Sequence, residues 1–308
     1  MKNLYWLAII ILICTAAGTV RAADLPISMD VELSLDRLEG ISQYQIGGQV
    51  VTPTDSAFIR FPLSELEFPL ESYLGSITLN TTIWDRLTVS MSGTANMVHA
   101  DPGTMKDSDW INTSVYPDIY SESEADLDVR IWEAKLAWRL FQRAPYALYV
   151  GLGYISQDFG FDVGNTYQVS SVPGYSTGFY SGATLTYDVT YTIPYGEIRG
   201  TYAATDKTII ELSGGYSPYA RAEDTDQHLL TDRMSKGDCD GYAILGAVKT
   251  RYFFTDRFSA NFGMHYRYIF TEGISKTYDS VSNHWLHTID QEIESKQASV
   301  RLGIGYEF

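Results

Sequence analysis

Two short acidic motifs hold the residue types that general-base chemistry needs: Asp107-Ser108-Asp109-Trp110 and Asp224-Thr225-Asp226-Gln227-His228. A carboxylate beside a histidine can fix the imidazole's tautomer and orientation, leaving the other ring nitrogen to take a proton. A spacing of two residues on an extended strand aims both side chains to one face. Two such pairs facing each other could hold a water molecule between them and raise its basicity. Neither motif is specific alone. Asp126-Leu127-Asp128 and Asp238-Cys239-Asp240 repeat the spacing, and with 38 acidic residues in the chain an Asp-x-Asp is close to background. What decides is whether the fold brings the two motifs to one place.

The elements that must position them are strands. In the last stretch Val300, Leu302, Ile304, Tyr306 and Phe308 share one face, while Arg301, Gly303, Gly305 and Glu307 share the other. An amphipathic strand of this kind would be a free sheet edge in an open sheet, and a closed barrel removes that edge by pairing it with the first strand. It also resembles the terminal signal of bacterial outer-membrane barrels. The same alternation recurs at Val31 to Asp36, Leu87 to Ala95, Trp132 to Leu140, Tyr146 to Tyr154, Ile210 to Tyr216, Tyr242 to Tyr252 and Phe258 to Tyr268. Short turns at Asp85-Arg86, Gln142 to Pro145, Ala204 to Lys207 and Thr255 to Arg257 interleave with five long polar segments. The order predicts an all-β fold: a single antiparallel ten-stranded transmembrane β-barrel, with five long extracellular loops and short periplasmic turns. In that register both motifs fall at the extracellular rim, on opposite sides of the barrel. Above Ile131 the alternation changes phase, which predicts a bulge there.

Composition agrees with a barrel. The 23 Tyr and 6 Trp suit the lipid–water boundary, and the 25 Gly suit a crowded interior. A net charge of −16 argues against nucleic acid as a partner. Residues 1–22 read as a signal peptide: Lys2, an apolar run from Leu4 to Cys14 too short to span a bilayer, and a cleavage site at Val20-Arg21-Ala22. The barrel is then residues 23–308, a single domain with Cys239 as its one cysteine, so no internal disulfide forms.

Together the motifs and strand order resemble the omptin family of outer-membrane endoproteases, which carry an Asp-x-Asp-Trp and an Asp-x-Asp-x-His on a ten-strand barrel. Asn96-Met97 and Pro194-Tyr195 extend the similarity, which covers essentially the whole mature chain. The resemblance implies a hydrolase that cuts peptide bonds of peptide or protein substrates. Asp226 and His228 would activate water, and Asp107 and Asp109 would position it. With water as nucleophile, no metal or other cofactor is implied. Asp224 matches an acid that helps omptins select Arg or Lys, so cationic substrates are expected. Omptins pair that acid with a Glu, and an ungapped alignment of Leu38-Glu39-Gly40 puts Tyr44 there. Either Glu39 or Glu32 replaces it, or basic selectivity is weakened or changed at Tyr44. Many omptins need lipopolysaccharide. Here Tyr154-Ile155-Ser156-Gln157-Asp158 keeps the Tyr but lacks the Glu and Arg, and Thr190 stands where another Arg is expected. The resemblance thus carries no firm lipopolysaccharide requirement onto this chain. It places the protein in the bacterial outer membrane as a monomer among lipid, with its site facing outward.

Other readings stay open from the residues alone. A barrel that binds without cutting, as an adhesin or surface binding protein, would explain Tyr44. A metal site built from the acids and His228 is a third reading, and a simple porin the weakest, because charged lumen residues leave little room for a pore. Glu133, Lys135, Arg139 and Arg267 are expected to form a lumen charge network, with His265 a satisfied lumen residue. His284 and His287 read as surface residues, and His99 near the rim says little.

Overall fold

A computed structural model describes residues 27–98, 102–112 and 115–308. The signal-peptide reading of residues 1–22 and the position of His99 lie outside the described residues. The chain forms twelve strand segments: β1 (Ile27–Val51), β2 (Ser56–Pro69), β3 (Ser72–Ile83), β4 (Leu87–Val98), β5 (Gly103–Asp109), β6 (Ile119–Arg143), β7 (Tyr146–Ser170), β8 (Gly178–Thr205), β9 (Thr208–His228), β10 (Arg233–Phe253), β11 (Phe258–Asp279) and β12 (Trp285–Glu307). β2 and β3 continue one another along β1, and β4 and β5 do so along β6, so the segments make a ring of ten strands. The ring closes antiparallel between β1 and β12, from Asp30 opposite Glu307 to Val51 opposite Thr288. The Phe308 amide donates to Met29 O at 2.9 Å, and β11 pairs along the other side, so both edges of β12 are paired. Closure leaves the strands of the lower half without a free edge, the condition for strands to cross a bilayer.

The barrel has two halves with opposite polarity. In the lower half apolar side chains point outward: Leu33, Leu35, Leu136, Leu152, Ile198, Leu212, Val248, Leu302 and Ile304 are all exposed. The inward residues there are polar. Arg301 donates to Asp36 at 2.6 and 2.9 Å, Arg251 meets Asp30 at 2.8 Å, and Lys249 pairs with Glu32. Glu133 lies near Lys135 and accepts from Tyr195. Most of them line a polar cavity of about 330 Å³. The expected lumen network is present and larger than the sequence suggested. Arg139 sits lower, beside the periplasmic turn, where its amide bonds Arg86 O. His265 faces this lumen, but its Nε2 has no hydrogen-bond partner, so it is not the satisfied residue expected.

In the upper half the pattern inverts. On β6, Leu127, Val129 and Ile131 are buried, while Glu122, Glu124, Asp126 and Asp128 are exposed. The change of phase at Ile131 is therefore not a bulge. β6 keeps unbroken register with β7 from Arg130–Asp158 to Trp132–Ser156, and its irregularities lie at Glu122/Glu124 and Arg139/Phe141. The strand runs straight out of lipid into water, so the side that must be polar changes while the pleat does not. The inward apolar residues form a plug in which Phe68 stacks on Tyr187 at 4.4 Å and lies 4.7 Å from Phe161. The long polar segments are thus mostly strand, extended above the bilayer, with tips as short as Thr52 to Asp55 and Leu229 to Asp232.

Candidate active site

Both motifs lie on these upper strands. Asp224, Asp226 and His228 end β9, where the alternation turns Asp224 and Asp226 inward; both are buried. His228 Nε2 lies 3.0 Å from Asp226 Oδ2, and the histidine side chain stays 40% exposed at the barrel mouth. A carboxylate only accepts, so in the neutral ring Nε2 carries the hydrogen and Nδ1 keeps the lone pair. Asp107 and Asp109 end β5, held between Leu66 and Ser64 of β2 and Ser121 and Ile119 of β6. Ser64 hydrogen-bonds Asp109. Trp110 caps the strand: its amide donates to Leu63 O at 2.8 Å and Arg60 stacks over its ring. In ring order β5 and β9 are four strands apart, nearly across the barrel.

The two pairs feel each other. Burial, then the charge of Asp109, raises Asp107 to about 8, and His228 pulls it back. Burial also raises Asp109, against the Ser64 hydrogen bond and His228. For His228, burial alone would favour the neutral ring. The contact with Asp226, helped by Asp107 and Asp109, outweighs it and raises the histidine to about 9. Asp107 Oδ1 and Asp226 Oδ1 are both buried without a hydrogen-bond partner. The mouth therefore presents an oriented base, an opposing carboxyl group and two unused acceptors. No three His, Cys, Asp or Glu groups among the described residues are arranged to ligate a metal ion.

Of the other expected site residues, Asp224 and Tyr44 both sit just beneath the pair. Tyr44 is buried and its ring lies 5.7 Å from Tyr187, the cross-strand neighbour of Asp226. Glu39 and Glu32 do not stand in for the missing acid. Glu39 points outward and pairs with Arg37, while Glu32 is deep in the lower lumen against Lys249. Asp224 instead accepts from Gln291 Nε2 at 2.8 Å. Gln291 was missed because β12 carries no motif around it; only the curl of the wall from β9 through β10 and β11 to β12 brings it there. Gly237, between them on β10, allows the contact. A Cβ there would lie 2.0 Å from Asp224 Oδ1 and 2.2 Å from Gln291 Oε1. Asn96 proves structural: its amide donates to Ser72 Oγ and Leu127 O, stitching β4 to its neighbours where that strand leaves the ladder.

A closed ten-strand ring with an apolar outer belt below and an acidic mouth above defines an outer-membrane β-barrel. The chain belongs to the Omptin family, whose sequence model matches residues 63–308. In structure it is similar to the outer membrane protease OmpT from Escherichia coli, with a TM-score of 0.81 at 15% identity, covering 94% of this chain and 99% of that one. A weaker likeness is to the outer membrane protein OprG from Pseudomonas aeruginosa, at a TM-score of 0.41 and 9% identity, covering 91% and 95% of the two chains. No curated protein matches the sequence. The protein is thus a barrel of the bacterial outer membrane.

Proposed function

We propose that the protein is an endopeptidase in which water, activated at His228, attacks a peptide carbonyl at the barrel mouth. The contact between Asp226 Oδ2 and His228 Nε2 carries the reading, because it leaves Nδ1 to act as base on a ring that stays part exposed at the mouth. Asp226 holds the tautomer and stabilises the imidazolium that forms when water gives up its proton. Asp107, across the mouth, orients that water through a carboxyl oxygen with no partner in the protein. Asp109, anchored by Ser64, adds its negative charge on the same side of the mouth. The proton taken by His228 is then available for the leaving amine. A positioned base is worth about 10²–10⁴ in rate. The acidic interior at Asp224 favours cationic substrates. The site needs no metal to supply its nucleophile.

The test is cleavage of a quenched fluorescent library of basic peptides by the refolded barrel. Wild type is expected to cut, and His228→Ala and Asp107→Ala are expected to lose about two to four orders of magnitude in kcat/KM while still refolding. Full activity in His228→Ala would end the proposal. No cleavage by any form, with basic peptides still bound, would favour a barrel that binds without cutting.

A further inference from the structure

Beneath the Asp226–His228 pair lies a second polar unit. Asp224 on β9 and Gln291 on β12 meet across Gly237, the amide Nε2 donating to Oδ1 at 2.8 Å. The contact fixes the amide orientation, since an acceptor oxygen cannot face the carboxylate. Two acceptors are left over, Asp224 Oδ2 and Gln291 Oε1, both buried without a partner. The Tyr187 hydroxyl is also buried and unpartnered, and it feels the charge of Asp224. Buried polar groups are almost always hydrogen-bonded, and an orphaned cluster of acceptors calls for a donor from elsewhere.

Resting on the peptidase reading, we infer that Asp224 and Gln291 form the subsite for one substrate side chain, and that it selects the primary ammonium of lysine over the guanidinium of arginine. A guanidinium gains most from both oxygens of one carboxylate, gripped as a planar fork. Here Gln291 already occupies one of those oxygens. The remaining acceptors come from two different groups, which suits a compact ammonium with three rotatable donors. Asp224, Gln291 and Tyr187 are 4%, 1% and 0% exposed, so the head group that reaches them must be small. A compact ammonium meets that demand better than a flat, wide guanidinium. Burial raises Asp224 to about 7, so its carboxylate is ionised mainly above neutrality, where the ammonium is still charged.

The experiment uses two quenched peptides that differ only in Lys or Arg before one cleavage position, with the full refolded barrel. Wild type is expected to favour Lys by about tenfold or more in kcat/KM. Gln291→Glu supplies a second carboxylate and is expected to shrink that ratio below about threefold, chiefly by lowering KM for the Arg peptide. Gln291→Leu is expected to lose the lysine advantage. A wild-type ratio of one or less overturns the inference, whether or not the variants refold. Binding of the same labelled peptides to His228→Ala and wild type, read by fluorescence anisotropy, separates the two readings. Lysine-selective binding that depends on Gln291, without cleavage by wild type, keeps the subsite and ends the peptidase. Cleavage without lysine selectivity keeps the peptidase and ends the subsite, and binding of neither peptide overturns the subsite too.

Discussion

At the scale of single residues, the protonation of His228 sets when the site can work. The ring must be neutral to accept a proton, yet Asp226, Asp107 and Asp109 raise it to about 9. Asp107, facing it, is raised to about 8 by burial and then by Asp109. At neutral pH the cluster therefore holds an imidazolium against Asp226 and a protonated Asp107, and the active base is scarce. Cleavage should climb as pH rises from 7, by about tenfold per unit well below the midpoint, pass that midpoint near 9 and level off above it. Because the groups titrate together, the midpoint of the limb belongs to the cluster rather than to one residue. Asp226→Asn removes the contact that most favours the imidazolium. It should move the limb to lower pH while lowering its plateau. A pH–rate profile of both proteins checks this; a flat wild-type profile from pH 6 to 9 would show that His228 is not the base.

At the scale of elements, the plug beneath the mouth keeps β5 and β9 at their distance. Phe68 is fully buried, stacked on Tyr187 and close to Phe161. Phe68→Ala should cost about 3–5 kcal/mol, seen as a lower urea midpoint for the refolded barrel. Tyr187 also lies opposite Asp226, which orients His228, so kcat should fall as well. An unchanged midpoint would mean that the plug does not hold the upper strands. The lower strands were legible in the sequence because lipid outside and charge inside impose strict alternation, as at Leu87 to Ala95. The upper strands were not. There the outside is wet and the site puts acids inside as well, so Asp224-Thr225-Asp226 reads as a polar loop although it is strand. Asp107, Asp109, Asp226 and His228 were readable because their spacing is local. Gln291 was not, since its role exists only through the curl of the barrel wall and the missing side chain of Gly237.

At the scale of the whole molecule, charge is sorted by height. The lower lumen pairs its ions internally, as in Asp36–Arg301 and Glu32–Lys249, so the surplus behind the −16 is carried higher up. Above the apolar belt the outer wall exposes Asp126, Asp128, Asp158, Asp162 and Asp188 on three adjacent strands, with Arg130 paired to Asp128. Tyr154 remains at that height, but Thr190 donates to Asp158 at 2.8 Å and Gln157 turns inward to bond Gln297. A phosphate-bearing lipid headgroup meets acid there rather than a basic clamp. Activity is therefore expected to be unchanged when lipopolysaccharide is left out of refolding, compared directly at equal folded protein. The same charge should draw cationic peptides to the mouth from a distance. Such steering acts on encounter and is screened over about 8–10 Å near physiological salt, whereas the buried Asp226–His228 contact is screened much less. Raising salt from 0.05 to 0.5 M should thus lower kcat/KM for a basic peptide by about tenfold and leave kcat nearly unchanged. Equal losses in both constants would place the salt effect at the buried pair and not in the acidic wall.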